Sequence, residues 1–160
     1  MPLKIALTGA TGFVGRAVVS AFMAESCQVS ALVRDPARAD MNSNVRQVLG
    51  DLQSSAALDD LTGNADAVIH IAGVIGALRR NDFFVANEQG SLAVAEAAAR
   101  NGVKRFVHIS SLAAREPGLS MYGASKRAGE VAVEKFKTRM SAVILRPPAV
   151  YGPGDRGTLP

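Results

Sequence analysis

The sequence predicts an α/β fold, a doubly wound parallel sheet of six strands in the order 3-2-1-4-5-6. Three observations predict it. Short apolar runs alternate with longer segments of helical spacing along the whole chain. The runs are continuous rather than alternately polar and apolar, as expected of strands covered by helices on both faces. The first run ends in a glycine-rich turn, Gly9-Ala10-Thr11-Gly12-Phe13-Val14-Gly15, that opens directly into a helical pattern.

The elements follow in order. Leu3–Leu7 reads as a buried strand and Phe13–Glu25 as the helix after the glycine turn. Val29–Val33 is the second strand, broken by Arg34-Asp35-Pro36. Val45–Leu49 is the third strand, Ala56–Leu61 a short helix, and Ala67–Ile71 a fourth strand closed by Ala72-Gly73. Phe83–Arg100 is a long alanine-rich helix that Asn101-Gly102 terminates as a C-cap. Phe106–Ile109 is the fifth strand, Met121–Arg139 a second long helix, and Ala142–Leu145 the sixth strand. The tail Tyr151–Pro160 is rich in glycine and proline and reads as loop.

At 160 residues the chain makes about one domain, with enough length for a real core. Its apolar fraction of 48% argues against disorder. The net charge of +4 is dispersed, without a long basic run or basic residues interleaved with aromatics, so no nucleic-acid footprint is expected. No apolar run reaches transmembrane length, and no cleavable leader precedes the glycine turn; a cytoplasmic location and no membrane partner are the expectation. The one cysteine, Cys27, excludes an internal disulfide, and a small core role is expected of it. His70 and His108 fall in separate strands and read as satisfied core residues; no metal site is expected.

The turn after the first strand has the chemistry of a pyrophosphate cradle. Gly9 permits the tight turn, Gly12 lets backbone approach a phosphate, and Gly15 lets the helix pack close to the strand. Thr11, Phe13 and Val14 supply further backbone there, and N–H groups at a helix start attract an anion. At the end of the second strand, Val33-Arg34 stands where an acidic residue would hold a ribose 2′-hydroxyl. A guanidinium suits a 2′-phosphate instead, which favours NADP(H), with NAD possible. The alternative for Arg34 is a solvated loop cation beside Asp35.

With these motifs the chain resembles the short-chain dehydrogenase/reductase superfamily, and more closely its extended and atypical branches, the NAD(P)-dependent epimerase/dehydratase group. The resemblance covers essentially the whole chain. It rests on Gly9–Gly15, Gly50-Asp51-Leu52, His70-Ile71-Ala72-Gly73, Asn87-Glu88-Gln89-Gly90, Ser110-Ser111, Tyr122-Gly123-Ala124-Ser125-Lys126 and Arg146-Pro147-Pro148-Ala149-Val150-Tyr151-Gly152. It implies a Rossmann-type domain over residues 1–160. Asp51 would accept from the adenine amino group, with Leu52 beside the ring. Ala72 and Gly73 would pass near ribose and phosphates, Asn87 would lie near the active site, and Pro147 would flank the nicotinamide. Members of the extended type run on for a further substrate-binding portion, so that domain is expected to be largely absent here. An uncovered apolar surface is expected beside the sixth strand, and a homodimer through the two long helices.

Tyr122 and Lys126 stand at i and i+4, on one helix face. A free phenol is a poor acid–base near neutrality, and a nearby ammonium favours its ionised form. Such a tyrosine can exchange a proton with a substrate oxygen while hydride moves at the adjacent carbon. Lys126 would also hold the ribose hydroxyls. Ser111 would orient the substrate carbonyl, with Ser110 behind it. Two readings remain open: an oxidoreductase or epimerase/dehydratase acting on a small carbonyl, alcohol or sugar nucleotide, and a non-catalytic NADP(H)-binding module.

Overall fold

The computed structural model describes residues 1–39 and 41–155. The strands are β1 Lys4–Thr8, β2 Gln28–Val33, β3 Arg46–Leu49, β4 Ala67–His70, β5 Arg105–Ile109 and β6 Ser141–Leu145. All pair in parallel, in the order β3-β2-β1-β4-β5-β6. The order reverses between β1 and β4, where Thr8 lies opposite His70. A doubly wound sheet opens its ligand crevice at that reversal, beyond the carboxyl ends of the strands.

The helices are α1 Phe13–Ala24, α2 Ser55–Thr62, α3 Arg80–Phe84, α4 Gly90–Arg100 and α5 Met121–Glu134. Ser54 caps α2 by accepting from the Ala57 N–H, and Ser120 caps α5 through the Gly123 N–H. Asn101-Gly102 ends α4 as expected: Gly102 takes φ +72° and the Val103 N–H returns to the Ala98 carbonyl. Phe136, Arg139 and Met140 are carried by turns after α5, whose regular part stops at Glu134 rather than at Arg139. The first long helix also differs from expectation. It begins at Arg80 and is interrupted by a π-helical stretch, Val85–Gln89, before α4. The wider turn places Asn87 inward, toward the crevice.

Two apolar layers sandwich the sheet. On one side Leu58, Leu61, Val94, Ala98, Phe106 and Val133 join α2, α4 and α5 to the strands. On the other, Leu7, Val19, Val29, Ala31 and Ile69 join α1. β1 and β4 are accordingly buried along nearly their whole length. β6 departs from this. Val143 and Leu145 are 49% and 47% exposed, so an apolar strip beside the sixth strand is uncovered among the described residues. The loop expected over Tyr151–Pro160 is described as far as Asp155; residues 156–160 lie outside the described residues.

Candidate functional site

The carboxyl ends of all six strands open into one cleft of about 1100 Å³. Thr8, Val33, Gly50, Ile71, Ile109 and Pro147 mark the six successive ends on its lining. Every residue read from the sequence as a site residue lies on this cleft: Gly9, Thr11, Gly12, Phe13, Val14, Gly15, Arg34, Asp51, Leu52, Ala72, Gly73, Asn87, Ser111, Tyr122, Lys126 and Pro147.

The glycines of the first turn have separable reasons. Gly9 sits at φ +78°, and a Cβ there would come within 2.6 Å of the Ala72 nitrogen. A Cβ on Gly15 would overlap the Gly9 carbonyl oxygen. Both glycines are therefore required by the protein's own packing. Gly12 is not: its φ is −77°, and an added Cβ would find only the Gly9 oxygen, at an ordinary 3.4 Å. Gly12 faces the open cleft. That fits a group approaching the α1 N-terminus, where Gly12 is the N-cap and no side chain caps the first turn. At the far end of this half, Arg34 is exposed at the end of β2, and Asp51 accepts from the Gln53 and Ser54 N–H groups while still facing the cleft. The residues present suit a nicotinamide dinucleotide.

Asn87 is fully buried, and its amide is committed to the protein. Its oxygen accepts from the Val74 N–H (2.9 Å); its nitrogen donates to the Val74 carbonyl (3.0 Å) and to Ser125 Oγ (2.9 Å). It thus ties the segment after β4 to the start of α5. Ser125 in turn donates to the Tyr122 carbonyl. Lys126 is buried and donates from Nζ to the Ile109 carbonyl (2.7 Å). Burial pulls its ammonium down to about 8, against an upward pull from Glu130. Ser111 caps the 3₁₀ turn Leu112–Arg115 by accepting from the Ala113 N–H (3.2 Å). Ser110 lies behind it, buried, with its hydroxyl donated to Glu130 (2.6 Å).

With this geometry in place, the comparisons with known proteins are consistent. The NAD dependent epimerase/dehydratase family matches residues 5–160. The chain belongs to that family. It is 49% identical to a ceramide reductase of Caulobacter vibrioides, over 97% of this chain and 49% of the relative. Among solved structures, a short-chain dehydrogenase/reductase superfamily protein from Agrobacterium tumefaciens with bound NAD superposes with a TM-score of 0.79. It is 29% identical, and the match covers 89% of this chain and 48% of that one. The UDP-glucuronic acid 4-epimerase of Bacillus cereus in complex with NAD gives a TM-score of 0.85 at 25% identity, over 98% and 59%. The chain spans about half the length of these relatives.

This member of the epimerase/dehydratase family also carries a buried polar chain that its sequence did not announce. The Ala72 N–H donates to Thr8 Oγ1, which pairs with His70 Nδ1 (2.7 Å). His70 Nε2 meets Ser91 Oγ (3.0 Å), and Ser91 donates its one hydroxyl hydrogen to the Asn87 carbonyl (2.7 Å). That hydrogen being used, His70 must donate from Nε2 and accept at Nδ1 from Thr8. Burial first, then the neighbouring His108 ring and the Lys126 charge, hold His70 well below the usual histidine range. His108 corrects the expectation of two satisfied histidines. It stacks on His70 at 5.3 Å between ring centres, but neither of its nitrogens has a hydrogen-bond partner among the described residues. Burial and the Lys126 charge push it down to about 3, with Glu130 pulling upward. Cys27 is only partly buried, at the edge of the α1 layer. No group of residues able to hold a metal occurs among the described residues, and no helix there is long and apolar enough to cross a membrane.

Proposed function

We propose that this chain acts in a nicotinamide-dependent redox reaction, with NADP(H) as the favoured cofactor, a carbonyl or alcohol as substrate, and Tyr122 as acid–base. One observation carries the reading. Tyr122 and Lys126 line the same cleft as Gly12, the one glycine of the first turn that protein packing does not require. The bound cofactor would supply or accept hydride at the substrate carbon. Tyr122 would give its phenolic proton to the substrate oxygen, or take it back in the reverse direction. Lys126, fixed by the Ile109 carbonyl, would hold ribose hydroxyls and place positive charge beside the phenol. Ser111 accepts from Ala113 and so keeps its own hydroxyl hydrogen to donate to the substrate oxygen. Arg34 would pair with a 2′-phosphate.

The substrate favoured is a lipid bearing a carbonyl. Ile75, Leu112, Leu119 and Val150 are exposed apolar side chains on the lip of this cleft, and the relative at 49% identity is a ceramide reductase. A sugar nucleotide is the competing substrate, supported by the likeness to the Bacillus cereus epimerase.

Thermal-shift titration with NADPH, NADP⁺, NADH and NAD⁺ tests the cofactor. Stabilisation by the phosphorylated pair, lost in Arg34→Ala, is the expected result; equal shifts with all four would remove the NADP(H) preference. NADPH oxidation with a long-chain 3-oxo amide, set beside a UDP-sugar assay, then separates the substrates. Tyr122→Phe should lower turnover by about 10²–10⁴-fold and leave NADPH affinity unchanged. Undiminished turnover in that variant sinks the acid–base assignment.

A further inference from the structure

The reaction scheme leaves one buried ionised group unused. Glu130 stands one helical turn beyond Lys126, on the same face of α5 as Tyr122. Its side chain is completely buried. One oxygen accepts from Ser110 Oγ (2.6 Å) and Arg146 Nε (2.7 Å); the other accepts from Arg127 Nη1 (2.8 Å) and Arg146 Nη2 (2.6 Å). A carboxylate has about four acceptor positions, so this one is saturated.

The partners come from three sides of the cleft's inner end. Ser110 follows β5 and precedes Ser111. Arg146 follows β6 and precedes Pro147. Arg127 follows Lys126 on α5 itself. Backbone bonds close the ring: the Ser110 N–H donates to the Leu145 carbonyl, and the Leu112 N–H to the Pro147 carbonyl. A buried ion cluster is a weak device for stability alone, since apolar residues of similar volume often serve as well. Its placement beneath Ser111, Pro147 and Lys126 calls for another reason.

We propose that Glu130 is a positioning residue of this site: it fixes the Ser110–Ser111 and Arg146–Pro147 segments against the Tyr122–Lys126 face of α5. The proposal rests on the cofactor reading above. The titratable and charged groups around Lys126 come from several elements. On its own helix these are Tyr122, Arg127 and Glu130; β5 contributes His108 and the Ile109 carbonyl, β4 contributes His70, and Arg146 stands after β6. Both histidines are held neutral, and the two arginines are bound to Glu130 itself. Glu130 is the group that opposes the effect of burial on the Lys126 ammonium.

The test measures NADPH affinity by fluorescence titration across the range in which Lys126 ionises. In the parent chain affinity should fall with a midpoint near 8 as the ammonium is lost. In Glu130→Gln the midpoint should move down by about one pH unit. In Glu130→Asp the charge is kept but the reach shortened, so the midpoint should stay while affinity drops several-fold. A midpoint and affinity equal to the parent's in both variants, once scaled to the folded fraction, would make Glu130 merely structural. If Glu130→Gln does not fold, Glu130→Asp decides alone, and parental affinity in it overturns the proposal. Failure of the parent to bind NADPH near neutrality would instead sink the cofactor reading, and this proposal with it.

Discussion

The two walls of the cleft are built from different materials. The wall from β1, β2 and β3 is largely backbone: a turn at positive φ, an uncapped helix start and glycines set by close approach. The wall from β4, β5, β6 and α5 is side chain: His70, Ser91, Asn87, Ser125, Lys126, Ser110, Glu130 and Arg146, most of them buried and joined by hydrogen bonds. The first wall fails by steric overlap. The second fails by leaving a buried polar or charged group without its partner. Substitutions should therefore behave differently on the two sides.

The largest expected effect is on the backbone wall. Gly15→Val places a branched side chain onto the Gly9 carbonyl and within 2.8 Å of Ala10 Cα, both rigid backbone. The expected loss is more than about 3 kcal/mol, seen as absence of a cooperative thermal transition. Gly12→Ala, three residues away, should leave the melting temperature of the free chain nearly unchanged, because its Cβ has room. It should instead abolish stabilisation by NADPH. If Gly12→Ala unfolds the chain, or binds NADPH normally, the separation of fold glycines from a ligand glycine is wrong.

The same contrast explains what was legible in the sequence. The strand order and the first turn could be read because their causes are local: apolar runs, a helix start, and glycines at fixed offsets. The Tyr122–Lys126 pair was legible because helical spacing alone puts both on one face. Neither Glu130 nor Arg146 was given a site role, although Arg146 opened a quoted motif, because a carboxylate four residues beyond Lys126 is ordinary until β6 brings Arg146 onto it from sixteen residues away. The Thr8–His70 contact, spanning sixty-two residues, was hidden for the same reason. The π-helical turn at Val85–Gln89 broke no rule of periodicity strongly enough to show, although Asn87, the residue it turns inward, was already marked by its motif.

The side-chain wall should announce itself in acid. Burial alone would raise the Glu130 carboxyl, but hydrogen bonds from Arg146, Ser110 and Arg127 outweigh it and hold it at about 2, below its ordinary 4.5. A depressed carboxyl contributes stability that is fully present above 4.5 and is lost as pH falls toward 2. The full contribution is roughly 3 kcal/mol. Urea unfolding at a series of pH values should show the parent losing stability through that window more steeply than Glu130→Gln. Parallel curves for the two proteins would mean the carboxyl is not held low.

Lys126 should also make stability rise with pH, in an alkaline window and more weakly, because there it is the charged form that the fold disfavours. Its folded-state value of about 8 lies below its ordinary 10.5, so the unfolded chain holds this proton more tightly. Between those two values, stability should rise with pH, because the folded state sheds a buried charge. The rise amounts to about 2 kcal/mol by a pH of roughly 9.5, and Lys126→Met should remove it. Over the same range NADPH should protect the parent less and less, as the ammonium that would hold the ribose disappears. Thermal melts with and without NADPH would read both trends at once, and a protective effect that grows with pH would contradict the role given to Lys126.

The smallest effect isolates environment from chemistry. Arg46 and Asp60 form an arginine–carboxylate contact of 2.6 Å, the same length as the Arg146 Nη2–Glu130 contact. The pairs differ in exposure and in the number of bonds: both Arg46 and Asp60 are more than half exposed, at 52% and 57%, and share one side-chain contact, whereas Glu130 is fully buried and takes two bonds from Arg146. Water solvates the exposed charges whether or not they meet, and salt screens their attraction. Arg46→Ala should therefore change stability by less than about 1 kcal/mol, with the difference shrinking further at high salt. Arg146→Ala leaves the Glu130 carboxylate buried with half its hydrogen bonds missing and should lose about 3 kcal/mol or more, independent of salt. Denaturant unfolding of the two variants at low and high salt makes the comparison directly. Equal losses would mean that burial, rather than the arginine–carboxylate contact itself, has been given the wrong weight in the wall that carries Lys126.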